Sequence, residues 1–429
     1  MGLGRRAFAA TLLAVLAAWA ALPSLLAAQE TVKLGLNYPR TGPYFTQGLD
    51  QFRAAQMAVE EVNAAGGILG RRVELVWRDS QSKVDVTRRN VLELIEQERV
   101  AMLFGGSASS VAVAAGEIAQ QKGVPFFGTL TYSTATTGTD GHRFTFRECY
   151  DSWMGAKVLS RYLTKQFAGR KYFYITADYT WGWTTEDSLR RLTGTTDTAA
   201  HPGVRTPFPT ATAKDFRAAL ERAAAARPDV LVLVLFGTDM VNTINMANGL
   251  GLKQAMQIVV PNLTLGMAED AGPQSMAGVL GALPWAWNVP YKYGYAGGQR
   301  FVERFAERYK RYPCTSGASA YVIVQEYKAA VERAGSFDGP AVVRALEGHA
   351  YTRLKDAQTW RPFDHQSVQT VYAVRCKPAA EVLRDKFKED YFEILDALPG
   401  QEAAVTREEW QALRAAAGKA PALEKLPGE

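Results

Sequence analysis

Short apolar runs recur along this chain and are separated by longer stretches in which apolar residues follow helical spacing. The runs do not alternate between apolar and polar positions, which is typical of strands buried on both faces of a parallel sheet. They lie at residues 101–104, 124–127, 172–176, 230–236 and 258–260. Helical spacing lies between them, for example over residues 211–226. This alternation predicts the βαβ units of a doubly wound α/β fold.

The first 50 residues of this pattern combine several features of a ligand site. A strand is predicted at 32–36, a Pro- and Gly-rich loop at 39–48, and then a helix with apolar residues at helical spacing. A second strand follows at 73–77 and ends at Asp79. A loop between the carboxyl end of a strand and the start of a helix borders the crevice of an open α/β sheet.

The end of that helix carries a specific signature. The motif Asn63-Ala64-Ala65-Gly66-Gly67-Ile68 is followed by Gly70-Arg71 and by the strand closing on Asp79. It resembles the start of the type I periplasmic solute-binding proteins of ABC importers, in the branched-chain amino acid and amide-binding branch that includes leucine-binding proteins. The resemblance spans about residues 31 to 376. It implies two doubly wound, Rossmann-like lobes joined by three crossover strands.

The resemblance also implies how the lobes divide the chain. The first lobe comprises residues 30–147 and 286–355, and the second comprises 148–283 and 356–398. Residues 399–429 form a C-terminal tail, in which 407–417 read as a short helix. The segment Gly281 to Asn288 breaks the βα alternation with a proline and two tryptophans, so we interpret it as a return crossing. The alternation alone is also compatible with two sequential domains.

The N-terminus has the pattern of a secretory signal. Arg5 and Arg6 precede an almost uncharged run over 7–28 that ends in small residues, and we place cleavage near Ala28. The apolar part up to Pro23 is shorter than the ~20 residues that a spanning helix needs. The paired arginines also fit a twin-arginine signal. These features predict residues 1–28 as a signal peptide and a periplasmic location.

Composition excludes several function classes. The chain is 47% hydrophobic and 21% charged with a net charge of +6, and its basic residues are interspersed with acidic ones. We therefore expect no nucleic-acid partner. With no CxxC pair and four histidines we expect no metal site and no cofactor. An exported chain with three cysteines could form one disulfide, and the sequence leaves the pair open among Cys149, Cys314 and Cys376.

Catalytic motifs are absent from the sequence. The run 105–109 begins like a nucleophile elbow, but its fifth position is Ser109 where the motif has glycine. The run 249–251 lacks the third glycine of a dinucleotide-binding loop, and there is no P-loop and no HExxH. We therefore expect that the protein is not an enzyme.

Two loops of the first lobe carry the candidate binding residues there. The first follows a predicted strand and opens a helix, where free backbone N–H groups and serine hydroxyls suit a carboxylate or carbonyl oxygen. Plain helix capping by serine is the alternative. The second loop resembles the family's second binding loop. The candidates are Ser107, Ala108, Ser109, Ser110, Thr129, Thr131 and Tyr132, with Tyr44 overhanging the crevice from the loop at 39–48.

The second lobe contributes a more apolar set. The family has an aromatic residue, often tyrosine, before Gly182, and here it is Trp181. Asp239 follows strand 230–236, where the resemblance implies a polar contact to an ammonium or an amide. Amino-acid binders of the family place an acid after the next strand, whereas this chain has Asn262. The candidates here are Trp153, Trp181, Phe236, Asp239 and Asn262.

The resemblance implies a monomeric solute-binding subunit that delivers a small molecule to ABC permease subunits in the inner membrane. Hinge closure would clamp the solute between the lobes, since contacts with the second lobe form only in the closed state. Ligand candidates are a branched-chain or aromatic amino acid, a short amide or urea, and an aromatic carboxylate. The alternative is a ligand-sensing regulator of the same fold that does not take part in transport.

Overall fold

Two large sheets dominate the computed structural model, which describes residues 31–429. The predicted signal peptide lies outside the described residues. The first sheet has five parallel strands in the spatial order β2-β1-β3-β4-β5. In chain order they are β1 (Thr31–Tyr38), β2 (Arg72–Asp79), β3 (Met102–Gly105), β4 (Phe126–Gly128) and β5 (Thr145–Arg147).

The second sheet has seven strands in the spatial order β15-β14-β10-β9-β8-β6-β7. Strand β14 is antiparallel to both of its neighbours, while β6 to β10 pair in parallel. The parallel strands are β6 (Tyr172–Ala177), β7 (Gly203–Thr206), β8 (Val230–Val234), β9 (Gln257–Asn262) and β10 (Leu280–Leu283). A small third sheet contains β11 (Ala350–Tyr351), β12 (Gln358–Trp360) and β13 (Ser367–Val368), and β14 (Val371–Cys376) and β15 (Phe392–Leu398) follow it.

Helices cover these sheets. Up to residue 276 they are α1 (Phe45–Ala64), α2 (Val84–Glu96), α3 (Ser109–Lys122), α4 (Ser152–Gln166), α5 (Thr180–Thr193), α6 (Ala213–Ala226), α7 (Gly237–Gly249), α8 (Leu252–Ala255), α9 (Leu265–Ala271) and α10 (Pro273–Met276). The later ones are α11 (Val289–Tyr293), α12 (Ala296–Tyr309), α13 (Thr315–Ala334), α14 (Gly339–Leu346), α15 (Ala379–Val382), α16 (Gly400–Ala403) and α17 (Arg407–Ala416).

The unalternating apolar runs are strands because helices bury both faces of the sheets. All five residues of β8 are buried, as are all six of β6. The five predicted runs correspond to β3, β4, β6, β8 and β9, which confirms them within two residues. The strand in the run 230–236 ends at Val234, earlier than predicted, and Phe236 is the N-cap residue of α7. The apolar pattern does not reveal the edge strand β7 or β15.

The first lobe extends beyond the strands of its own sheet. Trp360 of β12 packs edge-on against Phe127 and Phe146, with ring centroids 5.9 and 5.7 Å apart. The third sheet therefore lies on the first lobe, although the sequence-based limits assign residues from 356 onwards to the second. The lobe limits as a whole remain a prediction.

The segments that cross between the two sheets are tied together by buried polar side chains. The Lys355 ammonium donates to the Pro284 carbonyl at 2.7 Å and to the Thr370 carbonyl at 2.6 Å. The Gln366 side chain donates to the Cys149 carbonyl at 2.9 Å. These bonds tie the crossing segments to one another.

The three cysteines are free thiols, so the expected disulfide is not present. Each lies at a different place in the core: Cys149 beside the carbonyls of 128 and 131, Cys314 against the Ser316 hydroxyl at 3.0 Å, and Cys376 at the end of β14. Burial raises the thiol pKa of Cys149 and of Cys314 to about 12. Within residues 31–429 no helix has the length and apolar character that a bilayer crossing needs.

Candidate ligand-binding site between the lobes

The loop between β3 and α3 presents a helix start toward the crevice. Ala108 is the N-cap residue and offers no side-chain cap, and its carbonyl accepts from the Val111 amide at 3.0 Å. The Ser109 hydroxyl is engaged, because it accepts from the Ser133 amide at 3.0 Å. The Ser107 hydroxyl is buried and, among the described residues, has no hydrogen-bond partner, whereas Ser110 is only half-buried. Ser107 therefore carries the buried hydroxyl of this loop that is left for a ligand.

The second loop, residues 129–137 after β4, uses its threonines internally. The Thr129 hydroxyl donates to the side-chain amide oxygen of Gln51 at 2.5 Å, and the hydroxyls of Thr131 and Thr136 are 2.7 Å apart. Tyr132 differs from both, because its buried hydroxyl has no partner among the described residues. The threonines thus shape this loop, and Tyr132 carries its unused polar group.

Seven rings meet where the two lobes face each other. Tyr132 lies 5.3 Å from Tyr150 and 5.9 Å from Phe236, measured between ring centroids. Phe236 also contacts Trp181 at 5.9 Å and Tyr44 at 5.2 Å, both edge-on. We call this group the aromatic cluster; its members are Tyr44, Tyr132, Tyr150, Tyr179, Trp181, Phe208 and Phe236.

Tyr44 carries the first lobe into contact with the second. Its ring stacks on Phe208 at 6.0 Å, and its hydroxyl lies 3.1 Å from the Tyr179 hydroxyl. The preceding carbonyl, of Pro43, accepts from the Thr238 amide at 3.1 Å. A Cβ on Gly237 would lie 2.4 Å from both the Pro43 oxygen and the Tyr44 ring. The structure therefore shows the lobes closed, with a contact that only glycine at 237 allows.

Further polar contacts cross between the lobes around this cluster. The Thr46 hydroxyl donates to Asp270 at 2.9 Å, and the Ser133 hydroxyl lies 3.1 Å from that of Thr184. Gln47 lies beside Gly266, and both polar atoms of its side chain are buried without a partner among the described residues. Gln47 is thus a further candidate ligand contact on the first lobe.

Trp181 and Asp239 are the polar groups of the second lobe at this site. The Trp181 indole N–H is buried and has no acceptor among the described residues. Burial raises the pKa of Asp239 from 3.8 to about 6. The negative charge of Asp239 adds to burial in raising the pKa of Tyr44 and Tyr179, which places this carboxyl near their paired hydroxyls.

Two predicted site residues have other neighbours. The Asn262 amide donates to the Tyr150 hydroxyl at 2.6 Å, so Asn262 holds a cluster ring in place. Trp153 borders a separate groove of about 890 Å³ between α5 and α17, which Leu413 also lines. Its indole N–H is buried and has no partner among the described residues.

Four residues at the site were not among the predicted ones. Tyr150 and Tyr179 follow strands β5 and β6, so their positions at strand ends were an available signal. Phe208 follows β7, an edge strand that the apolar pattern does not reveal. Gln47 lies in the first turn of α1, where polar residues are ordinary, and its burial depends on the closed lobes.

Comparisons with known proteins agree with this architecture. A family model described as periplasmic binding protein matches residues 31–381. Leu/Ile/Val-binding protein homolog 7 of Brucella abortus (strain 2308) is 38% identical over 103 residues, which are 23% of this chain and 25% of that protein. The chain thus matches about a quarter of the length of this curated relative.

Two solved structures extend the likeness to nearly the whole fold. A periplasmic binding protein from Burkholderia mallei has a TM-score of 0.79 at 24% identity, over 89% of this chain and 98% of that chain. An amino acid ABC transporter substrate-binding protein from Pseudomonas fluorescens Pf-5 has a TM-score of 0.77 at 23% identity, over 90% of this chain and 98% of that chain. At these identities the likeness shows the type I, two-lobed fold.

Proposed function

The chain belongs to the periplasmic binding protein family, and from this premise we propose that it is the solute-binding subunit of an ABC importer. It captures one small molecule between its lobes and releases it unchanged to permease subunits in the inner membrane. The names of the relatives support this role, since they are a Leu/Ile/Val-binding protein homologue and an amino acid transporter subunit. Export by the N-terminal signal to the periplasm, and action as a monomer, are parts of the same proposal.

One observation carries the proposal: buried polar groups without partners lie on the loops and helix starts that border the face between the lobes. They are the hydroxyls of Ser107 and Tyr132 on the first lobe and the indole N–H of Trp181 on the second. A buried polar group that makes no hydrogen bond costs about 1–3 kcal/mol. Such groups persist in a closed crevice if a bound solute completes their hydrogen bonds.

The chemistry of these groups narrows the solute. The indole N–H of Trp181 can only donate, and the helix start beside Ser107 favours negative charge. The cluster rings around them form apolar walls. We therefore propose a solute with an apolar or aromatic body and at least one carboxylate or amide oxygen.

The site departs from what an α-amino acid would use in this family. Asn262 occupies the position of the expected acid, and its amide is already bonded to Tyr150. Asp239 is then the carboxyl that remains near the cluster, and burial raises its pKa to about 6. A ligand with an ammonium group would require Asp239 as its partner, whereas an aromatic acid would not.

Closure of the lobes is driven by contacts between the solute and the second lobe, which exist only in the closed state. A solute held by Ser107 and Tyr132 meets Trp181 and Phe236 when the lobes approach. That difference in affinity is what shifts the equilibrium toward the closed form. A permease that recognises the closed form would accept loaded protein in preference to empty protein.

A thermal-shift screen tests the proposal directly. Purified mature protein is heated with L-leucine, L-phenylalanine, phenylacetamide or benzoate, each at millimolar concentration. A compound present at 1,000 times its Kd stabilises the folded state by about 4 kcal/mol, which is a clear shift of Tm. Small-angle scattering of the same samples should show a more compact particle with the active compound. Absence of any shift across the four probes, or turnover of a bound probe, would refute the proposed function.

A further inference from the structure

The C-terminal segment, residues 399–429, extends beyond the part of the chain that the family model matches. It leaves β15 in the second sheet, and α16 contacts α4 of the second lobe. The Val405 carbonyl then accepts from the Arg361 guanidinium at 2.7 Å. A Cβ on Gly400 would lie 2.3 Å from the Gln369 backbone, so the segment passes closely beside an existing crossing. The segment thus forms a fourth link between the lobes.

Helix α17 of this segment is bonded to the end of the second loop. The Trp410 indole N–H donates to the Thr137 carbonyl at 2.9 Å. The buried Arg414 guanidinium donates to the carbonyls of Gly138 and Gly141 at 2.5 and 3.3 Å. These donors satisfy backbone carbonyls of a stretch that belongs to neither a helix nor a strand. The helix therefore supplies hydrogen-bond donors to the backbone of this stretch, as a neighbouring strand does inside a sheet.

A short chain of hydrogen bonds connects this contact to the candidate site. The Thr137 hydroxyl accepts from Arg147 at 2.8 Å, and Arg147 also donates to the Ser133 carbonyl. The Ser133 amide donates to the Ser109 hydroxyl at 3.0 Å. Ser133 directly follows Tyr132, so α17 is three contacts away from the unused hydroxyl of the second loop.

The face of α17 that is turned away from the second loop is separated from the second lobe by a groove. Between α17 and α5 lies the groove of about 890 Å³, bordered by Leu413 on one side and by Arg191 on the other. Arg191 is paired with Asp187 of its own helix at 3.0 Å, so its charge is not directed to α17. Helix α17 is thus fastened to the first lobe and separated from α5.

We propose that Trp410 and Arg414 are positioning residues for the second loop, which they hold in the conformation that aims Tyr132 into the crevice. The consequence for ligand affinity rests on the proposed function, whereas the placement of the loop does not. Without these donors the carbonyls of 137, 138 and 141 turn to water, and the bonds at Thr137 and Ser133 open more often. The segment then acts on binding without touching the solute.

Hydrogen exchange of the unliganded protein tests this inference. Trp410→Phe keeps an aromatic ring and removes the N–H, while Arg414→Gln shortens and neutralises the second donor. One lost hydrogen bond should raise the exchange rates of the amides of Ser133 and Ala135 about three- to tenfold. Arg414→Lys, which keeps a cationic donor, should restore part of the protection. Leu413→Ala, on the groove side of α17, is the matched control and should leave these rates unchanged.

The outcomes separate positioning from general stability. Faster exchange confined to residues 129–141 in the two donor variants supports the inference. Unchanged exchange in both, equal exchange in Leu413→Ala, or a uniform rise over the whole chain would overturn it. Benzoate affinity is measured on the same variants and should fall about three- to tenfold. If benzoate does not bind, the affinity is measured with whichever of the other three probes is active; if none of the four binds, the proposed function is at fault while the exchange data still decide on the loop.

Discussion

Two neighbouring tyrosines of the crevice should respond to loss of their hydroxyls in opposite directions. Tyr132 and Tyr150 are both buried, and their rings are 5.3 Å apart in an edge-on contact. The Tyr150 hydroxyl accepts from Asn262 at 2.6 Å and donates to the Ala282 carbonyl at 3.1 Å. The Tyr132 hydroxyl has no partner among residues 31–429. The pair therefore isolates the effect of hydrogen bonding at equal burial.

The magnitude follows from what each deletion leaves behind. Tyr150→Phe strands the Asn262 N–H and the Ala282 carbonyl, and we expect a loss of about 1–3 kcal/mol in the free energy of unfolding. Tyr132→Phe removes a group that is desolvated and unpaired. The unliganded Tyr132→Phe protein should therefore be as stable as wild type or up to about 1 kcal/mol more stable. The gain is small because the Tyr132 hydroxyl is already hydrated in those wild-type molecules whose lobes are open.

For ligand binding, in contrast to stability, loss of the Tyr132 hydroxyl should be harmful. A hydrogen bond to a charged carboxylate contributes about 1.5–3 kcal/mol, which corresponds to a roughly 10- to 150-fold loss of affinity. Urea unfolding gives the first quantity and isothermal calorimetry with the probe active in the screen gives the second. The reasoning fails if Tyr132→Phe destabilises the free protein as much as Tyr150→Phe does, or if it binds with wild-type affinity.

Three further outcomes are expected. Burial raises the Asp239 pKa from 3.8 to about 6, so the folded state binds that proton more tightly; wild-type stability should fall by about 1–3 kcal/mol as pH rises from 4 to 6, and Asp239→Asn should lack this slope in urea unfolding. Gly237 has a φ of 58°, and its alanine variant would clash with Pro43 in the closed state; when saturated with the probe active in the screen, the variant should show a larger radius of gyration in scattering than the wild-type protein, and an equal radius would contradict the closed contact. Ellman's reagent should modify the thiols only as fast as the protein unfolds, because all three are buried with raised pKa values: Cys149, Cys314 and Cys376.

The pattern of apolar runs located both first-lobe loops, because strand ends in a parallel sheet converge on one edge. It could not assign the hydroxyls within them. The Thr129 hydroxyl is taken by Gln51, which lies 78 residues earlier in the chain, and no local signal announces that pairing. Ser107 and Tyr132 stand out only in the structure, where theirs are the buried hydroxyls of these two loops that have no partner among the described residues.

The sequence pattern also could not predict which side chains are buried through contact with the second lobe. Phe208 reaches the cluster from an edge strand of four residues, of which only the last is buried, and such a strand has no apolar run. Trp153 is a second example. An aromatic residue near a crossing is a reasonable candidate for the crevice, but its sequence position does not reveal that it also lines the groove beside the C-terminal helix.

The closed crevice contains two opposing contributions that together make closure depend on a solute. The contacts of Tyr44 with Phe208 and with Phe236 form only when the lobes meet, and aromatic pairs contribute about 0.5–1.5 kcal/mol each. Against them stand buried groups without partners at about 1–3 kcal/mol each: the Ser107 and Tyr132 hydroxyls, the Trp181 indole N–H and the Gln47 amide. This penalty weakens closure while the crevice is empty. A solute that accepts these hydrogen bonds removes the penalty and keeps the attraction, so the same residues that disfavour empty closure favour loaded closure.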